Sequence, residues 1–301
     1  MILLVGVPNE GPLARVQAAL EAIGAPHVLF DQSVFGTELE LRGEAGRLEG
    51  VLRAPGGTEV PVAAFRAAYT RMLDHTRLPA YGPAPPAQRA AADGSNAALS
   101  TCLELLPGLV LNRAAAMASN RSKPYQLALI RRMGFGVPAT LVTNDPELVC
   151  AFRARHGRVV FKSASAVRSI VTELDDAGIT RLAAIRACPV QFQELVEGLD
   201  VRVHVVGERV FATACDSPVV DYRYADGAAR LAPFDLPEET AARCVALAQS
   251  LELPLAGIDL KRRRDGSWVC FEVNPSPGFS WFEAATGQPI AAAIAALLAS
   301  A

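Results

Sequence analysis

The sequence predicts an α/β fold, and three observations carry that expectation. Residues 1–111 alternate short apolar runs with helix-length stretches, a pattern that builds a sheet with helices packed on it. From residue 190 onward apolar, strand-like runs come in rapid order. Further on, Asp265-Gly266 separates two runs of alternating polarity, which is a strong hairpin signal.

In chain order, residues 2–7 read as a buried strand and 12–23 as a helix that Gly24 ends. Residues 27–30 form a second strand, and 38–42 with 48–53 a hairpin followed by the turn Pro55-Gly56-Gly57. Four prolines make 79–86 a loop before a helix over 88–105 and a short strand over 109–111. A second unit, 112–190, carries helices over 123–133 and 146–156 and strands over 140–142, 158–162 and 169–174. A third, 191–301, opens on strands over 190–196, 201–206 and 209–214, with Gly207-Glu208 as a tight turn. Helices over 237–251, with Pro237 at the first helical position, and 290–298 complete it.

Composition narrows the function classes. Half the residues are apolar and 20% are charged, a soluble globular balance. A net charge of -2 without a basic stripe argues against nucleic acid, and no apolar run reaches membrane-span length. Cys102, Cys150, Cys188, Cys215, Cys244 and Cys270 are scattered, so zinc ligation is not expected. The start of the chain lacks the basic region and cleavage site of an export signal, so the expected location is the cytoplasm.

The most informative segment is 255–277. A two-residue turn at Asp265-Gly266 pairs Arg264 with Ser267 and, counting back, Asp259 with Glu272 and Gly257 with Asn274. Side chains alternate along a strand. One face then carries Ala256, Ile258, Leu260, Val269, Phe271 and Val273 and is expected in the core. The other carries Asp259, Glu272 and Asn274, with Lys261 at its edge. Two carboxylates ~5 Å apart repel unless something neutralises them, and Mg²⁺ takes such oxygen ligands. Taken alone, the hairpin serves equally well as a solvated acidic face.

Gly257-Ile258-Asp259-Leu260 followed by Phe271-Glu272-Val273-Asn274-Pro275-Ser276-Pro277-Gly278 resembles the C-terminal signature of ATP-grasp enzymes, most of all the RimK-like branch of amino-acid and peptide ligases. The resemblance covers 112–301 and implies an ATP-grasp fold. Residues 1–111 would be the pre-ATP-grasp α/β domain, with 112–190 and 191–301 as central and C-terminal subdomains clamping ATP. It implies that Asp259, Glu272 and Asn274 hold Mg²⁺, for which Mn²⁺ can substitute, against the ATP phosphates.

The same resemblance assigns other roles. Lys162, at the end of an apolar strand, would meet the α/β-phosphates. Asn120-Arg121-Ser122-Lys123-Pro124-Tyr125-Gln126-Leu127 is similar to a family pattern whose lysine, here Lys123, also reaches ATP. Gln193-Glu194-Leu195-Val196 resembles the hinge whose backbone near Leu195 and Val196 bonds adenine. Asp200-Val201-Arg202 resembles the family's Asp-x-Arg element, with Arg202 on phosphate or the substrate carboxylate. A surface ion pair between Asp200 and Arg202 is the plainer alternative. Arg223 would stabilise transferred phosphate. Where relatives carry a glycine-rich flap, this chain has Ser163-Ala164-Ser165-Ala166-Val167-Arg168, and Arg168 would close over phosphate.

The implied reaction activates a carboxylate as an acyl phosphate, which an amine or hydroxyl of an amino acid or peptide then captures. A graspetide-type macrocyclase, linking side chains within a ribosomal precursor peptide, is the sharper alternative. A phosphotransferase is the alternative from another class. Neither nucleic acid nor membrane is expected as a partner, and a homodimer is left open.

Overall fold

The computed structural model describes residues 1–34, 38–44, 47–53, 59–163, 171–224 and 227–301. They group into two compact units, residues 1–117 with 252–255 and 276–301, and residues 118–251 with 256–275.

The first unit centres on β1 (Ile2–Gly6), all five residues of which are buried. After it, α1 (Gly11–Ala22) starts where the Glu10 side chain accepts from the Leu13 N–H at 3.0 Å, and it buries Leu13, Val16 and Leu20. Next come β2 (His27–Asp31), the antiparallel β3 (Glu38–Glu44), β4 (Arg47–Arg53) and β5 (Glu59–Pro61), and then β6 (Ala67–Thr70). Following these, α2 (Pro86–Leu105) leads into β7 (Leu109–Leu111) and the short α3 (Ala114–Met117). A parallel sheet runs in the order β2-β1-β6-β7. Leu3, Val5, Ala68 and Val110 on one of its faces share a core with Leu52, Val60, Leu99 and Leu103. Helices Ser280–Thr286 and Ile290–Ala299 pack on α1.

The second unit carries the chemistry-bearing residues. It begins with α4 (Lys123–Arg132), β8 (Thr140–Thr143) and α5 (Pro146–His156). Asp145 caps α5 at the Glu147 N–H, 2.9 Å, and Gly157 ends it at φ +72°. Then come β9 (Val159–Ser163), β10 (Thr172–Glu173), α6 (Asp176–Thr180) and β11 (Val190–Glu194). The rest is β12 (Leu199–Val206), β13 (Arg209–Asp216), β14 (Arg230–Pro233), α7 (Glu238–Ser250), β15 (Leu255–Arg262) and β16 (Trp268–Asn274). Two sheets result, ordered β10-β9-β11-β8 and β14-β13-β12-β15-β16. In the first, Val159 and Phe192 pack with Val149 of α5, so Val160, Lys162, Gln191 and Gln193 share the opposite face. Gly136 ties this region to β16 through its N–H to the Trp268 carbonyl, 3.2 Å, and its carbonyl to the Cys270 N–H, 2.8 Å.

Several expectations change. Pro237 is the N-cap residue rather than the first helical one. The expected strand over 169–174 is a strand only at Thr172–Glu173, and 164–170 lies outside the described residues together with the turn at 55–57. Six of the strands and α-helices among the described residues had no strand or helix reading, β5, β6, α3, α6, β14 and the helix at Ser280–Thr286, all of seven residues or fewer.

Candidate active site

The β15–β16 hairpin differs from the two-residue turn expected. The Arg263 N–H bonds the Ser267 carbonyl at 2.9 Å and the Gly266 N–H bonds the Arg263 carbonyl at 3.0 Å, so Arg264, Asp265 and Gly266 form the loop. Gly266 takes φ +85°, a left-handed position that suits glycine. With this loop Arg262 pairs with Trp268, Lys261 with Val269 and Leu260 with Cys270. A β-bulge between Asp259 and Leu260 then absorbs Phe271, and Asp259 pairs with Glu272, Ile258 with Val273 and Gly257 with Asn274. The two one-residue departures cancel, which is why counting from the wrong turn still placed the acids opposite each other. The bulge does correct the core face. Cys270, fully buried, lies opposite Leu260, and Phe271 lines the cavity instead.

Both acids meet cations. Asp259 Oδ1 accepts from Arg202 Nη1 at 2.6 Å, and its Oδ2 accepts from Asn274 Nδ2 at 3.1 Å. Glu272 Oε2 accepts from Lys123 Nζ at 2.6 Å. Helix α4 is set on the hairpin by Gln126, whose side chain bonds the Val273 carbonyl at 2.9 Å and the Val273 N–H at 3.0 Å. Three residues before Gln126, Lys123 begins the same helix, so that pair of hydrogen bonds brings its ammonium to Glu272. Burial of the Glu272 carboxyl opposes ionisation, yet Lys123 and Lys162 hold its pKa below the usual carboxylate range.

A cavity of about 290 Å³ opens on this hairpin face. Its walls take Asp259, Glu272, Asn274, Lys123 and Lys162 from the sequence reading. They also take Gln193, Glu194, Leu195, Val196, Asp200 and Arg223. Arg202 is not on the wall; it is buried beneath Asp259, 6% exposed. Arg168 lies outside the described residues.

Lys162 is 8% exposed, and the loss of hydration, with Lys123 nearby, lowers its pKa to about 8. Asp200 pairs with Lys261 at 3.1 Å, but burial still raises its pKa to about 6. The surface pair between Asp200 and Arg202 is therefore not what these residues form. Each turns to a residue of β15, Lys261 and Asp259 respectively. Arg223 is clamped by Asp221 through two bonds of 2.8 and 2.7 Å, and that bonding raises its pKa. At the hinge the Leu195 N–H is committed to the Arg158 carbonyl, 2.8 Å.

The wall residues absent from the sequence reading are chiefly apolar: Val160, Val171 and Val220. Only Val160 had a signal, because it lies two residues before Lys162 on one strand and must share its face. Among the described residues no group of three or more His, Cys, Asp or Glu side chains could hold a metal. The candidate metal set is two carboxylates and the Asn274 amide. These hard oxygen donors suit Mg²⁺, so the residues fit that ion.

The fold and this cavity define an ATP-dependent ligase of the ATP-grasp class. Residues 120–298 match the RimK-like ATP-grasp domain, and the chain belongs to that family. It is 30% identical over 202 residues to a probable alpha-L-glutamate ligase of Enterobacter sp. (strain 638), covering 62% of this chain and 66% of that one. It thus spans about two thirds of the length of the curated relatives it matches. The macrocyclase MdnC of Microcystis aeruginosa MRC, solved with the precursor peptide MdnA, superposes with a TM-score of 0.84 at 25% identity over 100% of both chains. The ATP-grasp ligase PsnB, solved with a precursor variant, Mg and ADP, superposes with a TM-score of 0.82 at 27% identity over 99% of this chain and 97% of that one.

Proposed function

We propose that the chain joins carboxylates to amine or hydroxyl groups of a peptide through an acyl phosphate, with 1–111, 112–190 and 191–301 as its three working segments. The observation that carries this is one cavity walled by an acid pair with an amide on one side and buried or half-buried cations around it. A carboxylate oxygen attacks the γ-phosphorus of ATP and the bond to ADP breaks. The amine or hydroxyl then attacks the acyl carbon, inorganic phosphate leaves, and the nucleophile's proton departs with it.

The protein's part is positioning and charge neutralisation. Lys123 and Lys162 present compact positive charges to the phosphate chain. Arg223, on the cavity wall, offers a planar guanidinium group, which suits a carboxylate or the phosphoryl oxygens in flight, while Arg202, buried off the wall, holds Asp259 in place. The hinge at 193–196 would receive adenine. Asp259, Glu272 and Asn274 would hold Mg²⁺, which supplies charge neutralisation at the phosphates when bound.

For the substrate we favour side chains of a precursor peptide. Likeness to ligases solved with precursor peptides runs over the whole chain, N-terminal third included, whereas the match to the probable glutamate ligase covers 62% of it. The test incubates the protein with Mg²⁺-ATP and a candidate precursor peptide rich in Thr, Ser, Asp and Glu, and weighs the product. Loss of one water per ring with release of phosphate is expected. Mass gained from a free amino acid would favour the amino-acid ligase. ADP without free phosphate would sink ligation in favour of phosphotransfer.

A further inference from the structure

Strand β11 carries two glutamines on its cavity-side face, and they are not equivalent. Gln193 Nε2 donates to Thr140 Oγ1 at 3.0 Å. Gln191 is 1% exposed, and neither its Oε1 nor its Nε2 has a hydrogen-bond partner among the described residues. A buried amide left without partners costs free energy, and such a group in a native fold calls for an explanation. Its neighbours supply one. Gln191 pairs directly with Lys162 across the β9–β11 ladder, and with Val142 on the other side. Directly opposed side chains of an antiparallel pair share a face, with Cβ atoms ~5 Å apart. Gln191 does not line the cavity, so it stands behind Lys162 rather than beside a ligand.

We infer that Gln191 is a positioning residue for Lys162: with an anion in the cavity, the Lys162 ammonium donates both to the anion and to Gln191 Oε1, and the amide fixes the direction in which the lysine points. The inference rests on the proposal that Lys162 meets the phosphates of ATP. An ammonium has three donors and a flexible stem, so a buried acceptor at its flank limits the rotamers it can take. The amide oxygen stays under-bonded in the free protein and gains a donor in the loaded one, so the fold carries it at a cost that binding relieves.

The test replaces Gln191 by leucine, which keeps the bulk and removes both polar atoms. Titrations with ADP and with adenosine, each with Mg²⁺, separate the phosphate end from the base. Gln191→Leu is expected to weaken ADP about tenfold, ~1.4 kcal/mol, and to leave adenosine within about twofold. The unfolding midpoint of the free protein is expected to hold or rise, because an unpaired buried amide has been removed. In a Lys162→Met background the same change should add nothing. Equal loss for both ligands, no loss for ADP, a lowered midpoint or full additivity would each overturn the inference. Failure of the underlying proposal looks different: ADP affinity would then be unchanged by Lys162→Met itself.

Discussion

Lys162 shows what single side chains were and were not legible. A lysine ending an apolar strand is visible in the sequence, but its burial is not, because burial comes from elements far along the chain. That burial sets a pH dependence. Held at about 8, the ammonium is charged below that pH and neutral above it, so kcat/KM for ATP should be flat below pH 8 and fall as pH rises through it. In stability terms the sign is opposite. The depressed pKa means a penalty below pH 8 that is relieved between about 8 and 10.5. Lys162→Arg should be slower yet lack the fall near pH 8, since a guanidinium stays charged. A pH–rate profile that keeps the same fall would place the titration elsewhere. Asp259→Asn and Glu272→Gln should each lower Mg²⁺-dependent phosphate release about 10²-fold or more, as removal of preorganised charge stabilisation does. Full activity in either would end the metal assignment.

At the scale of elements, the hairpin is where sequence logic was both right and incomplete. Asp265-Gly266 marks the turn, and alternation marks the two strands, but nothing local signals a bulge at Phe271. The bulge is a property of the pair, set by how β16 fits β15 and the loop at Gly136, which bonds Cys270 and Trp268. Long helices such as α5 were legible to the residue because Asp145, Pro146 and Gly157 punctuate them. Strands such as β6, read Ala-Ala-Tyr-Thr, were not, because they are fixed by neighbours on both sides rather than by their own pattern. Two glycines of the second unit test this view of local against tertiary control. At Gly266 an added Cβ meets nothing within 4 Å, so Gly266→Ala should cost only the left-handed backbone penalty, about 1 kcal/mol. At Gly198, φ +149°, a Cβ would come within 2.2 Å of the Arg262 carbonyl oxygen. Gly198→Ala should therefore cost about 3 kcal/mol in urea unfolding, because the start of β12 and the end of β15 would be driven apart. Equal costs at the two sites would contradict the close approach.

For the whole molecule, the cavity concentrates cations and carboxylates that the chain scatters from Lys123 to Asn274, and every residue lining it belongs to the second compact unit. Such a site places strong charges under partial burial, where like charges such as Lys123 and Lys162 oppose one another in the free protein. A bound nucleotide with Mg²⁺ should relieve that opposition, so ligand and fold should stabilise each other. The two tryptophans divide between the units, Trp268 in the second and Trp281 in the first. Trp281→Phe therefore leaves Trp268 as a reporter on β16 itself, the strand that carries Glu272 and Asn274. In that variant, ADP with Mg²⁺ at a hundred times its Kd should add about 2.7 kcal/mol to the unfolding free energy read from Trp268 fluorescence. Adding Asp259→Asn should leave ADP the same small effect with Mg²⁺ as with a chelator, since the nucleotide would keep its lysines but lose its ion. A Mg²⁺-dependent gain that survives Asp259→Asn would mean the ion is held by the phosphates alone, and the acid pair on the hairpin would then need another purpose.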